Sequence, residues 1–299
     1  MAEQRRGQGP SKGGPGGARG GAGRPSRGAP QGDGRGRGGR QAYSKGGAQG
    51  GPRGYQGRRD DREREAVPRT ADQAVYDGPP LPEEITGREL DRNVIAQLKG
   101  LPEKLAARVA KHLAAAQALL EEDPETAYQH TLAARARAPR LAIVREAVGE
   151  TAYASGHYAE ALADLRAAKR MNGATDYLPV MADCHRALGQ PESALKLAKS
   201  PSVANFEPDA KAEMTIVEAG ARRDMGQLDA ALRTLELAPL MSKSREPWVV
   251  RLRYAYADTL EAAGRKADAL AWFHRTYAID SEQMTDAAER ASALEQLLD

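Results

Sequence analysis

From Leu90 onward, apolar residues recur every three or four positions in blocks divided by short polar turns. That spacing places them on one face of an α-helix, so each block predicts an amphipathic helix. The turns themselves repeat. They read Glu122-Asp-Pro-Glu-Thr-Ala127, Gly156-His-Tyr-Ala-Glu-Ala161, Gly189-Gln-Pro-Glu-Ser-Ala194, Gly226-Gln-Leu-Asp-Ala-Ala231 and Gly264-Arg-Lys-Ala-Asp-Ala269. Their closing alanines are 34, 33, 37 and 38 residues apart. A period near 34 with helical patterning between turns predicts an all-α chain of stacked helix pairs. Such chains present surfaces to other molecules and rarely enclose catalytic pockets.

Small residues stand where the two helices of each pair must cross closely. Residues 141–173 carry Gly149 in the first helix and Ala161 and Ala168 in the second, with Tyr158 opening it. The unit before has Ala115, Ala127 and Ala134. Those after have Ala182 with Ala194, Ala219 with Ala231 and Ala238, and Ala257 with Ala269. Asp123 before Pro124 is a good N-cap followed by proline in the first turn. These positions resemble tetratricopeptide repeats, and the resemblance implies a right-handed superhelix. The block from Leu81 to His185 is similar to a group of actinobacterial tetratricopeptide proteins without an assigned activity. Two departures stand out. The usual first-helix Trp is missing, and the second helix of the third unit stops early, near Lys199-Ser200-Pro201. Thr86-Gly-Arg-Glu89 reads as a capping box and predicts an N-terminal capping helix over 86–99. Residues 284–298 predict a C-terminal capping helix, with Ala287, Ala291, Leu294, Leu297 and Leu298 at helical spacing.

Residues 1–60 follow other rules. They hold 21 of the chain's 31 glycines and no Val, Ile, Leu, Phe, Trp or Cys. So little apolar surface does not offset a backbone entropy of about 1–2 kcal/mol per residue, which predicts a disordered tail. Residues 61–82 read as a charged linker ending in Gly78-Pro-Pro-Leu-Pro82, and 83–299 as the helical domain. The net charge of +3 conceals an asymmetry. The first 60 residues carry 13 Lys and Arg against 3 acids, a net of +10, and the rest carry 31 against 38, a net of −7. Eleven of the 13 tail cations are Arg; Arg19-Gly-Gly21 and Arg37-Gly-Gly39 are RGG triplets, with Arg35-Gly36 and Arg53-Gly-Tyr55 close relatives. Arginine pairs with phosphate and stacks on bases. Arg19, Arg35, Arg37, Arg40, Arg53 and Tyr55 are therefore the candidate contacts to RNA or a ribosome. The alternative is a purely solubilising extension.

A single cysteine, Cys184, allows no internal disulfide framework, and no signal-like or membrane-spanning apolar run is present. Together these predict a cytoplasmic location and no membrane partner. Catalytic motifs fail on spacing. Cys184 and His185 are sequence neighbours, about 100° apart on a helix, and do not face each other. The five histidines have no i, i+4 pair, so neither a metal nor a cofactor is expected. Trp248, Trp272 and Phe273 read as packing residues.

What remains is a binding surface. In tetratricopeptide superhelices the first helices line the concave groove. Projecting that pattern places Glu146, Glu150, Tyr153, Asp183, Arg186, Glu213, Arg223, Arg251, Tyr254, Asp258 and Glu261 along it. The set holds six acids and three arginines, which predicts an acidic lining suited to a basic or mixed protein partner. The Lys and Asn that clamp a terminal carboxylate in chaperone-binding members do not occur there. The reading is a protein-binding adaptor with an RNA-contacting tail. Its rivals are a nucleic-acid-binding protein that uses the helices as a scaffold, and an enzyme accessory subunit.

Overall fold

The computed structural model describes residues 76–298, and the regular structure among them is entirely helical. A short helix, α1 (Arg92–Leu98), leads into α2 (Glu103–Leu119) and α3 (Pro124–Arg137). Next come α4 (Ala142–Ala154) with α5 (Tyr158–Asn172), and α6 (Leu178–Ala187) with α7 (Pro191–Ala198). A 3₁₀ turn, Pro201–Asn205, precedes α8 (Pro208–Asp224) and α9 (Leu228–Glu236). The series closes with α10 (Pro247–Ala262), α11 (Lys266–Tyr277) and α12 (Ala287–Leu298). From α2 on, each helix packs on the next in sequence, and α2 also meets α4, α6 meets α8 and α8 meets α10.

One turn recurs between paired helices. After α4, Gly156 takes φ +78°, and the N–H of His157 reaches back to the carbonyl of Ala152 at 2.8 Å. The same six-residue bond joins Gln190 to His185, Gln227 to Arg222 and Arg265 to Leu260, at 2.8, 2.8 and 2.9 Å, each beside a glycine at positive φ. This is the glycine helix stop in which a left-handed residue lets the chain reverse while satisfying end carbonyls. It explains why glycine marks four of the five repeated turns. Proline opens α3, α7, α8 and α10, where its missing N–H costs no helical bond.

The small residues lie at the crossings. Ala115, Ala127, Ala134, Ala161, Ala168, Ala182, Ala194, Ala219, Ala231, Ala257 and Ala269 are all buried, and Ala238 is half-buried. A β-carbon on Gly149 would stand 2.4 Å from Leu165, so α4 and α5 approach as closely as glycine permits. Phe273 is fully buried, and Trp248 and Trp272 are half-buried against the same cluster. Arg275 lies over the Trp272 ring at 4.6 Å.

Three expected boundaries shift. The Thr86/Glu89 pair does form, with the Glu89 carboxylate accepting from the N–H and the hydroxyl of Thr86 at 3.0 and 2.8 Å. It holds a turn, however, and no helix starts there. The helix begins at Arg92 with Asp91 as its cap, the Asn93 N–H donating to Asp91 Oδ1 at 2.7 Å. At the other end, the buried Asp280 carboxylate accepts from the N–H groups of Met284 and Thr285 at 2.8 and 2.9 Å. That ties 284–286 into a turn and delays α12 to Ala287. Finally, the expected linker is already packed at Tyr76. Arg137 donates to the Tyr76 carbonyl, lies over its ring at 4.1 Å and approaches Asp77 at 3.7 Å. The rest of that linker and the whole basic tail lie outside the described residues.

Candidate functional site

The projected groove residues fall on four helices. Glu146, Glu150 and Tyr153 stand at i, i+4 and i+7 on α4, and Asp183 and Arg186 at i, i+3 on α6. Glu213 and Arg223 lie on α8. Arg251, Tyr254, Asp258 and Glu261 run at i, i+3, i+7 and i+10 on α10. Each set therefore shares one helix face.

Side chains join these faces across successive pairs. The Tyr153 hydroxyl donates to Asp183 at 2.6 Å, and Arg186 donates to Asp183 at 2.7 Å and to Asp224 at 2.8 Å. Arg186 reaches that far because its guanidinium lies on Gly220, where a β-carbon would stand 2.4 Å from its Cζ. Arg251 donates to Glu213 at 2.8 Å, and Arg223 pairs with Asp258. Arg290 of α12 bonds both Asp258, at 3.0 Å, and Glu261, at 2.6 Å, and so ties the last helix to α10. The Tyr254 hydroxyl donates to Asp286 at 2.6 Å and accepts from Arg290 at 3.2 Å. A cleft of about 510 Å³ opens among Arg186, Gly220, Arg223, Arg251, Tyr254, Asp258 and the loop Met284–Asp286.

The lining expected from sequence to be acidic on balance, with six acids to three arginines, shows a gradient. Toward α10 the carboxylates are paired with arginines. Burial raises the Asp258 carboxyl, but hydrogen bonds from Arg223 and Arg290 outweigh it and hold the group below its ordinary value. At the α4 end the acids have no cation partner among the described residues. Glu146 is buried and accepts from the Asn172 amide at 2.7 Å, while Glu150 accepts from the Tyr177 hydroxyl at 2.5 Å. Burial, with help from the neighbouring Glu146 charge, raises Glu150 above its ordinary value. Both border a smaller, apolar cleft of about 140 Å³ with Leu90, Val94, Leu113 and Ile143.

Sequence reasoning missed Arg290, Asp224 and Asp286, because their partners lie 29 to 38 residues away. It also missed the meeting of His112 and His130, 18 residues apart, whose Nδ1 atoms are 3.1 Å apart. Among the described residues no group of three or more metal-ligating side chains is found. Cys184 and His185 sit in different surroundings. The thiol is buried and pushed up to about 12, while His185 accepts from Arg166 and donates to Gln190, each at 2.8 Å. No helix among the described residues is long and apolar enough to cross a membrane. The tail candidates Arg19, Arg35, Arg37, Arg40, Arg53 and Tyr55 lie outside the described residues.

Comparisons with protein-family models, with curated proteins and with solved structures found no match to this chain. The described residues define an all-helical array of sequentially packed helices with a charged cleft among α6, α8 and α10.

Proposed function

We propose that this chain is a cytoplasmic scaffold of the tetratricopeptide type, a right-handed superhelix that takes an extended segment of a partner protein along its first helices. The observation that supports this reading is the cleft of about 510 Å³ assembled from α6, α8, α10 and the loop before α12. Its arginines and carboxylates are already matched to one another, so a peptide enters by exchanging pairs. That favours a mixed-charge ligand over a purely acidic one. Glu146 and Glu150, without a cation partner among the described residues, add a preference for a Lys or Arg side chain at the α4 end. The Arg/Gly-rich tail, with Arg19, Arg35, Arg37, Arg40, Arg53 and Tyr55, contacts RNA or another polyanion through phosphates.

Affinity capture tests this reading, using the full chain and a variant lacking residues 1–60, each with and without nuclease. A protein retained by both forms after nuclease, and lost with Asp258→Lys, supports the groove. Retention that needs both the tail and intact RNA overturns it. That outcome favours the rival in which the helices only carry a nucleic-acid-binding tail, a rival the +10 charge of the first 60 residues keeps in view.

A further inference from the structure

Helix α8 outruns both helices that flank it in sequence. It has 17 residues, whereas α7 has 8 and α9 has 9. The sequence shows the cause, since Lys199-Ser200-Pro201 stops α7 early and Ala238-Pro239 stops α9. Lys211, Thr215, Glu218 and Arg222 follow at helical spacing on the side of α8 turned away from Glu213, Gly220 and Arg223. The second cleft, about 610 Å³, lies against this stripe, walled by Phe206 at one end and Leu237 and Pro239 at the other.

Its chemistry is amphipathic. Leu237 is 90% exposed, and Met241, just beyond the cleft rim, is 72% exposed. Their apolar surface continues the wall that Phe206, Ala238 and Pro239 present to the cleft. Beside them stand two cations, Lys211 and Arg222. Arg222 donates from Nη2 to Glu218 at 2.7 Å, and its buried Nε has no acceptor among the described residues. A carboxylate arriving at the exposed edge of this guanidinium or at the Lys211 ammonium adds a charge-assisted hydrogen bond.

We propose that this cleft is a second docking site, independent of the groove, and that it receives an acidic amphipathic helix of a partner protein. The stripe from Lys211 to Arg222 covers 12 residues of α8, about 16 Å at 1.5 Å per rise, which matches about three turns of a facing helix. Leucine or phenylalanine at i and i+4 of that helix packs on Phe206, Leu237 and Pro239, and flanking Asp or Glu pairs with Lys211 and Arg222.

The test uses the full-length chain and a fluorescein-labelled, end-capped 14-residue helical peptide, with Leu along one face and Glu on its flanks, followed by anisotropy. Saturable binding is expected. It weakens about tenfold with Arg222→Gln, the size of a lost charge-assisted hydrogen bond, and falls similarly when the peptide's Glu are replaced by Gln. Leu237→Glu weakens it as well, whereas Arg251→Gln on the opposite side of α8 leaves it unchanged. Circular dichroism confirms equal helix content in every variant. Absence of saturable binding overturns the proposal, as does equal binding by wild type and Arg222→Gln. Sedimentation velocity of the chain alone supplies the other arm. A concentration-dependent dimer abolished by Leu237→Glu assigns the cleft to a second copy and likewise overturns the partner-helix proposal. Neither result bears on the groove, whose loss is read with Asp258→Lys.

Discussion

The Nδ1 atoms of His112 on α2 and His130 on α3 lie 3.1 Å apart, and both rings are shut off from water. One nitrogen must donate and the other accept, so the accepting ring is neutral, and burial disfavours charge on the donating ring. Burial is the main reason His112 is depressed, to about 3. The His130 ring, Arg137 and Arg108 push the same way, and only Asp77 opposes them. Burial also lowers His130.

A group whose folded pKa lies below its unfolded value binds more protons when unfolded. Its contribution to stability is therefore full above the unfolded value near 6.5 and is lost as pH falls toward the folded one. Stability is expected to drop between pH 6 and pH 4, with His112 alone contributing about 1.4 kcal/mol per pH unit. Urea titrations at half-unit pH steps measure the slope. His112→Gln is expected to flatten it, and an unchanged slope would rule out the pair as its source.

Ala161→Asp is expected to destabilise far more than Ala154→Asp. Ala161 is fully buried at the α4–α5 crossing, whereas Ala154 is exposed on the last turn of α4. A buried, unpaired carboxylate costs several kcal/mol, and an exposed one costs a few tenths. Thermal melts of the two variants decide it, and equal melting temperatures would contradict the packing.

Gly149→Ala sets two effects against each other. Alanine gains about 1 kcal/mol of helix propensity. Its methyl group also meets two Leu165 carbons at 2.4 Å, and Leu165 is itself buried with little room to turn. Overpacking of that kind costs about 1–3 kcal/mol, so the clash is expected to win. A rise in the urea midpoint would show that Leu165 moves freely.

Arg290→Ala is expected to loosen α12 specifically. The guanidinium holds Asp258 and Glu261 together and lies 4.8 Å from the Phe273 ring centroid. Its removal takes the cation from half-buried Glu261, one turn along α10 from Asp258, which keeps Arg223. Hydrogen exchange is expected to accelerate in 287–298 while α4 and α5 stay protected. Uniform acceleration along the chain would mean that Arg290 supports the whole array and not its last helix.

The helical class, the pairing and the turn positions were legible in sequence because each depends on local chemistry. Glycine is needed at positive φ after α4, proline is tolerated in a first turn, and alanine must stand where Ala127 and Ala161 meet the preceding helix. The stripes of the groove were legible for the same reason, since helical spacing alone puts Arg251, Tyr254 and Asp258 on one face. Which charges neutralise which was not legible. Arg290 finds Asp258, Arg186 finds Asp224 across Gly220, and His112 finds His130 only after whole helices have packed. The apparent acidity of the lining followed from counting charges without their partners. The ends misled for a related reason. Thr86 and Glu89 make the bonds of a capping box in a turn, and Tyr76 counted as linker until Arg137 folded over it. Local preference acts within a helical turn, but ion pairs between helices depend on which faces tertiary packing brings within a few ångströms.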